Sequence, residues 1–156
     1  MTPVDGLITY HDPCYLGRHN KIYTPPREIM SAVPGLRQQE MHRHMERGFC
    51  CGAGGARMWM EERIGKRINN ERVDEALSLN PDIVSTACPF CLVMLTDSVN
   101  GKKAAADSGS AAGGQAKESI TVVDVAQLLL ESVRTPSAAL EGDGDHAAKR
   151  NSRPAR

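Results

Sequence analysis

Residues 82–95 read DIVSTACPFCLVML, and in this stretch two cysteines lie between two apolar runs. The short run over 82–86 follows a helix-ending proline and predicts a buried strand. The second run, over 92–95, predicts the first turns of a helix that ends near Gly101. This order of strand, cysteine pair and helix is one unit of an alternating α/β pattern.

The same alternation runs through the flanking sequence. Further strands are predicted at 6–10, 38–41 and 120–123, and further helices at 27–32, 56–79 and 125–133. Such alternation predicts an α/β fold with a small, mainly parallel sheet and flanking helices. In sheets of this kind, ligands bind at the carboxyl ends of the strands. Because Cys14 and Cys88 each follow a predicted strand, we expect a metal site at that edge.

The predicted helix over 56–79 rests on apolar periodicity. Apolar residues recur there at intervals of four: Met60, Ile64 and Ile68. That spacing is typical of an amphipathic helix, and charged residues such as Arg72 would occupy its opposite face. We expect residues 58–60, which read Met-Trp-Met, to pack in the core rather than to form a partner-facing patch.

The domain is predicted to occupy residues 1–134. A chain of 156 residues, 40 % of them hydrophobic, is long enough for one packed core. Residues 102–119 are rich in Ala, Gly and Ser without apolar periodicity, which predicts a flexible insertion. Residues 135–156 have the composition of a disordered tail.

The charge balance argues against a nucleic-acid partner. Lys plus Arg and Asp plus Glu number 19 each, so the net charge is zero, whereas phosphate-binding surfaces usually carry a basic excess. No stretch approaches the roughly 18 apolar residues that a membrane-spanning helix needs. Residues 1–6 lack the basic and apolar regions of a signal peptide. We therefore expect a cytoplasmic protein without a membrane span.

The five cysteines carry the chemistry of the sequence. They are Cys14, Cys50, Cys51, Cys88 and Cys91. An odd number leaves one thiol over in any fully paired disulfide scheme, and clustered thiols in a reducing compartment are more often metal ligands or redox groups. Converging thiolates suit zinc or an iron–sulfur cluster. A Cys-x-x-Cys pair at a strand–helix junction also fits a dithiol oxidoreductase.

The adjacent pair Cys50-Cys51 favours an extended cluster over a single ion. Neighbouring side chains usually point apart, which suits several irons better than one tetrahedral zinc. The glycine-rich residues 52–55 follow the pair. Glycines let the backbone approach inorganic sulfides, and their N–H groups can donate hydrogen bonds to those sulfides.

Three motifs carry a resemblance to a known family. They are YHDPCYLGR at 10–18, CCGAGG at 50–55 and ACPFC at 87–91. In this order they resemble the cysteine-rich CCG domain of the heterodisulfide reductase B subunit, the glycolate oxidase iron–sulfur subunit and related iron–sulfur oxidoreductases. The similarity covers about residues 6–133.

The resemblance implies a non-cubane [4Fe-4S] cluster, with zinc as the alternative because some family members carry zinc. The implied ligands are the five cysteines: Cys14, Cys50, Cys51, Cys88 and Cys91. It also implies an electron-transfer domain or subunit that passes electrons from a flavin or cluster donor to a quinone, a disulfide or a carrier. A zinc-stabilised interaction module and a dithiol oxidoreductase remain the alternatives.

The chain departs from the family pattern by having one such domain and no Cys-x-x-Cys-x-x-Cys run. We therefore expect it to need a redox partner, either a flavoprotein or a second iron–sulfur domain, and to reach a membrane only through that partner. His11 and Arg18 are the candidate catalytic residues. His11 could bind substrate, donate a hydrogen bond to a cluster sulfur or supply a proton, and Arg18 could anchor an anionic ligand.

Overall fold

A four-stranded sheet forms the centre of the domain. The computed structural model describes residues 1–62, 64–107 and 116–134. Within these residues the strands are β1 (Gly6–His11), β2 (Leu36–Gln38), β3 (Ile83–Thr86) and β4 (Thr121–Asp124). They lie in the order β2-β1-β3-β4, and every neighbouring pair is parallel. All four carboxyl ends therefore point the same way.

Helices pack on both faces of this sheet. They are α1 (Thr24–Ala32), α2 (Ile68–Leu77), α3 (Pro89–Asp107) and α4 (Val125–Val133). α2 packs against α3, and α1 packs against α4. Consecutive strand residues point to opposite faces, so Val84 joins the core with α2 and α3 while Ile83 joins the core with α1 and α4. The predicted α/β fold with a parallel sheet and flanking helices is confirmed.

The predicted helix over 56–79 is wrong in its first half. The structure has one 3-10 turn at Arg57–Trp59, and α2 covers only the second half of the segment. Ala56 has a φ of 61° and Gly65 a φ of 70°, and a left-handed backbone cannot continue a right-handed helix. The four-residue spacing does not mark a buried stripe here, because Ile64 is exposed.

The expected core position of residues 58–60 is also wrong. Trp59 is 80 % exposed and Met60 is exposed as well. Met58 is partly buried and packs against Cys51 and Cys91. The irregular segment thus faces solvent and the cysteines rather than the core of the domain.

The largest boundary differences concern α3 and β2. α3 continues through Gly101 to Asp107, so the first six residues of the predicted insertion are helical. β2 ends at Gln38, where the predicted strand begins. Residues 108–115 of the predicted insertion and the predicted tail at 135–156 lie outside the described residues. None of the described helices is long and apolar enough to cross a membrane.

Candidate metal centre

All five cysteines line one cavity of about 360 Å³. Cys14 follows β1, and Cys88 and Cys91 lie at the junction of β3 and α3. Cys50 and Cys51 lie in the loop that leads from β2 toward α2. The parallel register of β1 and β3 brings these loops to the same edge. Residues 36 positions apart in the sequence, such as Cys14 and Cys50, therefore meet at the carboxyl ends of the strands.

Sulfur atoms from different segments approach one another. The Cys91 thiol donates to Cys51 Sγ at 3.3 Å, and Cys14 and Cys51 are near enough to Cys50 to affect its pKa. The Gly52 backbone N–H donates to Cys50 Sγ at 3.2 Å. A backbone N–H aimed at a sulfur stabilises that sulfur when it is ionised. All five thiols are free.

The crowded thiols are poor acids in the absence of a cation. The hydrogen bond with Cys51, followed by burial, raises the pKa of Cys50 far above its usual range. The hydrogen bond from Cys50 lowers the pKa of Cys51, but the contact with Cys91 and burial outweigh it and raise that pKa to about 12. Burial, with Cys50 nearby, also raises the pKa of Cys14. Thiolates in this arrangement need a positive centre between them, which is what a bound metal supplies.

Apolar groups back the inner side of the cavity. Cys51 and Cys91 are each 4 % exposed and pack with Met94. Ala53 and Met58 complete this cluster. A water-poor lining around thiolate ligands affects the potential of a bound metal group.

Asp12 holds the Cys14 loop and the Cys50 loop together from behind. Its carboxylate accepts two hydrogen bonds from Arg27, at 2.8 and 3.0 Å. It also accepts the Met45 backbone N–H at 2.8 Å. Burial by itself raises the pKa of Asp12, but the hydrogen bonds from Arg27 and Met45 outweigh burial and lower it. Asp12 is therefore an ionised, buried anchor between the two loops.

Arg18 bridges the same loops on the solvent side. Its Nη1 donates to Cys14 Sγ at 3.7 Å and its Nη2 donates to the Gly48 carbonyl at 2.7 Å. The side chain is exposed and does not line the cysteine cavity. The geometry thus places Arg18 beside one candidate ligand, and its catalytic role stays a prediction.

His11 lies beneath the cavity and is fully buried. Its Nδ1 accepts a hydrogen bond from Arg72 Nε at 3.0 Å. One of its ring nitrogens lies within 4.8 Å of the sulfurs of Cys51 and Cys91. Burial, followed by the charge of Arg72, lowers the pKa of His11 to about 3. The imidazole is therefore neutral at physiological pH, and the catalytic role of His11 stays a prediction.

Arg72 is a site residue that the sequence reasoning missed. Its charge predicts the exposed face of a helix, but the residue is 0 % exposed. Its Nη1 donates to Glu75 and to the Arg43 carbonyl, each at 2.9 Å. The spacing contained a signal, because Arg72 lies four positions before Ala76 and therefore on the buried side of α2.

Exposed aromatic side chains surround the mouth of the cavity. Tyr15, Trp59 and Phe90 line it and are all more than half exposed. These three residues belong to different segments of the chain, so only the folded structure brings them together around the mouth. The cavity is therefore buried at one end, where Met94 and His11 lie, and open, with an aromatic rim, at the other.

Comparison with known proteins places these features in a family. The model of the cysteine-rich domain called CCG matches residues 8–96. A Bacillus subtilis protein named "Probable iron-sulfur-binding oxidoreductase FadF" is 47 % identical over 131 residues. The EtfAB:quinone oxidoreductase of Syntrophomonas wolfei is 44 % identical over 138 residues. One subunit of the dihydromethanophenazine:CoB–CoM heterodisulfide reductase of Methanosarcina barkeri is 38 % identical over 131 residues.

These relatives are much longer than the region they share with this chain. Each match covers 84 % of this chain. The matched region is 17 % of the Bacillus protein, 18 % of the Syntrophomonas protein and 29 % of the Methanosarcina protein. No solved structure matches the chain. The similarity therefore concerns one cysteine-rich domain of larger proteins.

Proposed function

We propose that this chain, which belongs to the family of cysteine-rich CCG domains, binds an iron–sulfur cluster and serves as an electron-transfer domain or subunit of an oxidoreductase. The convergence of five free thiols on one cavity carries the proposal. Soft thiolate ligands in this number suit an iron–sulfur cluster. The names of the relatives support it, since they include an iron–sulfur-binding oxidoreductase and a quinone oxidoreductase.

The proposed cluster is a non-cubane [4Fe-4S] group held by all five cysteines: Cys14, Cys50, Cys51, Cys88 and Cys91. Cys50 and Cys51 both line the cavity, which supports a shared site, because adjacent thiolates in one cavity can serve different irons. When bound, such a cluster accepts and donates single electrons. The protein supplies the thiolates, the Gly52 N–H toward Cys50 and the apolar backing around Met94.

The partner in this proposal is another redox domain or subunit. A flavoprotein or a second iron–sulfur domain would donate the electrons, and a quinone, a disulfide or a carrier would accept them. The short span of the match within each relative supports a partner, since the domain is there one part of a longer chain. The domain would work in the cytoplasm, or at a membrane to which its partner binds.

A zinc site is the second candidate, and one group of side chains favours it. His11, Cys51 and Cys91 offer ligand atoms that all lie within 4.8 Å of one another. Zinc is commonly bound by Cys and His in tetrahedral geometry. In this case the domain would be a zinc-stabilised interaction module without redox activity.

Metal analysis distinguishes the iron–sulfur function from the zinc site. The protein is purified anaerobically, with any domain to which it is naturally fused. We expect several irons per chain, a matching amount of acid-labile sulfide and a brown sample with broad absorption near about 400 nm, typical of iron–sulfur clusters. Zinc without sulfide, in a colourless sample, would overturn the iron–sulfur function. A thiol–disulfide cycle of Cys88 and Cys91 without bound metal would favour the dithiol alternative instead.

A further inference from the structure

A buried nitrogen of His11 has no hydrogen-bond partner beside the inner pair of cysteines. Nε2 of this fully buried ring contacts no donor or acceptor among the described residues. Buried polar atoms are nearly always paired, so an unpaired one in a native fold needs an explanation. One ring nitrogen of His11 lies within 4.8 Å of the sulfurs of Cys51 and Cys91.

The contact with Arg72 determines which ring nitrogen carries the proton. A guanidinium has only donors and stays protonated, and Arg72 Nε donates to His11 Nδ1 at 3.0 Å. Nδ1 must therefore be the acceptor. In a neutral imidazole the other nitrogen then carries the hydrogen, so Nε2 is an N–H donor that faces away from Arg72.

The same contact argues against His11 as a metal ligand. A histidine that binds a metal almost always donates its second ring N–H to a carboxylate, a carbonyl or water. The second nitrogen of His11 instead accepts from a cation. Binding a metal through Nε2 would require loss of its proton, while Nδ1 is already committed to Arg72. The ring is thus arranged to donate a hydrogen bond rather than a lone pair.

Buried contacts hold Arg72 in this role. Glu75 accepts from Arg72 Nη1 at 2.9 Å, and Glu75 in turn accepts from the Arg43 backbone N–H at 2.6 Å and from Arg43 Nε at 2.8 Å. A hydrogen bond from a cation to Nδ1 polarises the imidazole and makes its N–H a stronger donor. The hydrogen bonds from Arg72 to Glu75 and to His11 therefore fix the orientation of the imidazole at the buried end of the cavity.

We propose that His11 is a positioning residue whose Nε2–H donates a hydrogen bond to the thiolate sulfur of Cys51 or Cys91 and thereby raises the reduction potential of the bound cluster. This inference rests on the proposed iron–sulfur function. Hydrogen bonds to the sulfurs stabilise the added negative charge of the reduced state. The role requires no proton transfer and no change in the number of ligands.

Matched variants of the full-length protein test the proposal. His11→Leu removes the donor, whereas His11→Gln keeps an N–H of similar reach. We expect both to retain the iron and sulfide content of the wild type, with the potential of His11→Leu shifted to more negative values and that of His11→Gln shifted less. His42→Leu makes the same change at an exposed position and should leave the potential unchanged. An unchanged potential in a fully loaded His11→Leu protein would overturn the proposal.

A measurement on the wild type decides the case even where the variants fail to fold. With histidine labelled by ¹⁵N, electron–nuclear double resonance of a paramagnetic state should show a weakly coupled nitrogen and an exchangeable proton. A strongly coupled nitrogen would identify His11 as a ligand and overturn the proposal. If the purified protein holds zinc and no sulfide, the iron–sulfur function fails, and ¹⁵N–¹H correlation on that diamagnetic form still tests the ring. A hydrogen on Nε2 there supports the donor assignment, and a metal on Nε2 overturns it.

Discussion

The inner and the outer end of the cysteine cavity are built differently. At the inner end Cys51 and Cys91 are almost fully buried and lie above His11 and Arg72. At the outer end Cys14, Cys50 and Cys88 are partly exposed. The inner end is fixed by packing and by the hydrogen bonds of Arg72 with His11 and Glu75, whereas the outer end is bordered by exposed side chains.

This difference suggests that the two ends of the site have different functions. Buried ligands with fixed donors set the properties of a bound metal group, because solvent does not compete there. Partly exposed ligands under an apolar rim are where a partner can approach. The following predictions test whether the two ends differ in these ways.

The largest effect is expected from Cys51→Ser. This change should remove most of the bound iron, because Cys51 is 4 % exposed and solvent is a poor replacement for the missing ligand there. Cys14→Ser should retain more iron, since solvent reaches the outer end. Iron and sulfide analysis with the visible spectrum measures both, and circular dichroism should show an intact fold, because Cys51 lies in a loop and not in a helix or strand.

Two results would contradict this prediction. A full complement of iron with an unchanged spectrum in Cys51→Ser would show that the five-ligand assignment is wrong. Equal iron loss in Cys51→Ser and Cys14→Ser would show that burial does not distinguish the two ends.

The next largest effect is expected from Asp12→Ala. This change leaves the partly buried Arg27 without one of its carboxylate partners and the Met45 N–H without its acceptor. Breaking a buried ion pair costs about 3–5 kcal/mol, and we expect a loss of that order in the free energy of unfolding, measured in urea under anaerobic conditions. Arg67→Ala is the control, because its pair with Asp97 is exposed and such pairs contribute about 1 kcal/mol or less. A loss in Asp12→Ala no larger than that of the control would contradict the anchoring role.

Asp12 also predicts how stability depends on pH. Its pKa in the folded state is lowered relative to about 3.9 in an unfolded chain. The stabilisation is therefore complete above the unfolded value and is lost as pH falls through the folded one. The stability difference between the wild type and Asp12→Asn should be constant above about pH 5 and shrink below about pH 4. A difference that does not shrink in acid would assign the effect to packing rather than charge.

The part of the site that follows β1 and β3 could be predicted from the sequence. Short apolar runs indicated the positions of β1 and β3, and parallel strands end at one edge, so the approach of Cys14 to Cys88 followed from the pattern. The glycines after Cys50 and Cys51 indicated a loop there, because glycine disfavours helix.

The conformation of the segment before α2 and the burial of Arg72 could not be predicted from the periodicity of apolar residues. The left-handed conformation of Ala56 prevents a helix from beginning at the first predicted residue, and nothing in the identity of an alanine indicates it. Arg72 was missed because charge usually marks an exposed face, and only its pairing with Glu75 and His11 makes burial tolerable. Local patterns therefore located the strands, whereas side-chain pairing over long sequence distances determined the inner end of the site.

The smallest effect is expected from Trp59→Ala at the outer end. A helix over 56–79 with a core tryptophan would lose about 3–5 kcal/mol of stability on this change. In the structure Trp59 is 80 % exposed, so we expect the free energy of unfolding to change by about 0.5 kcal/mol or less. Leu95→Ala, at a fully buried position of α3, is the control and should cost about 2–5 kcal/mol. Urea unfolding of the two variants measures the contrast. A loss in Trp59→Ala comparable to that in Leu95→Ala would show that the rim is part of the core, and the distinction between a packed inner end and an open outer end would not hold.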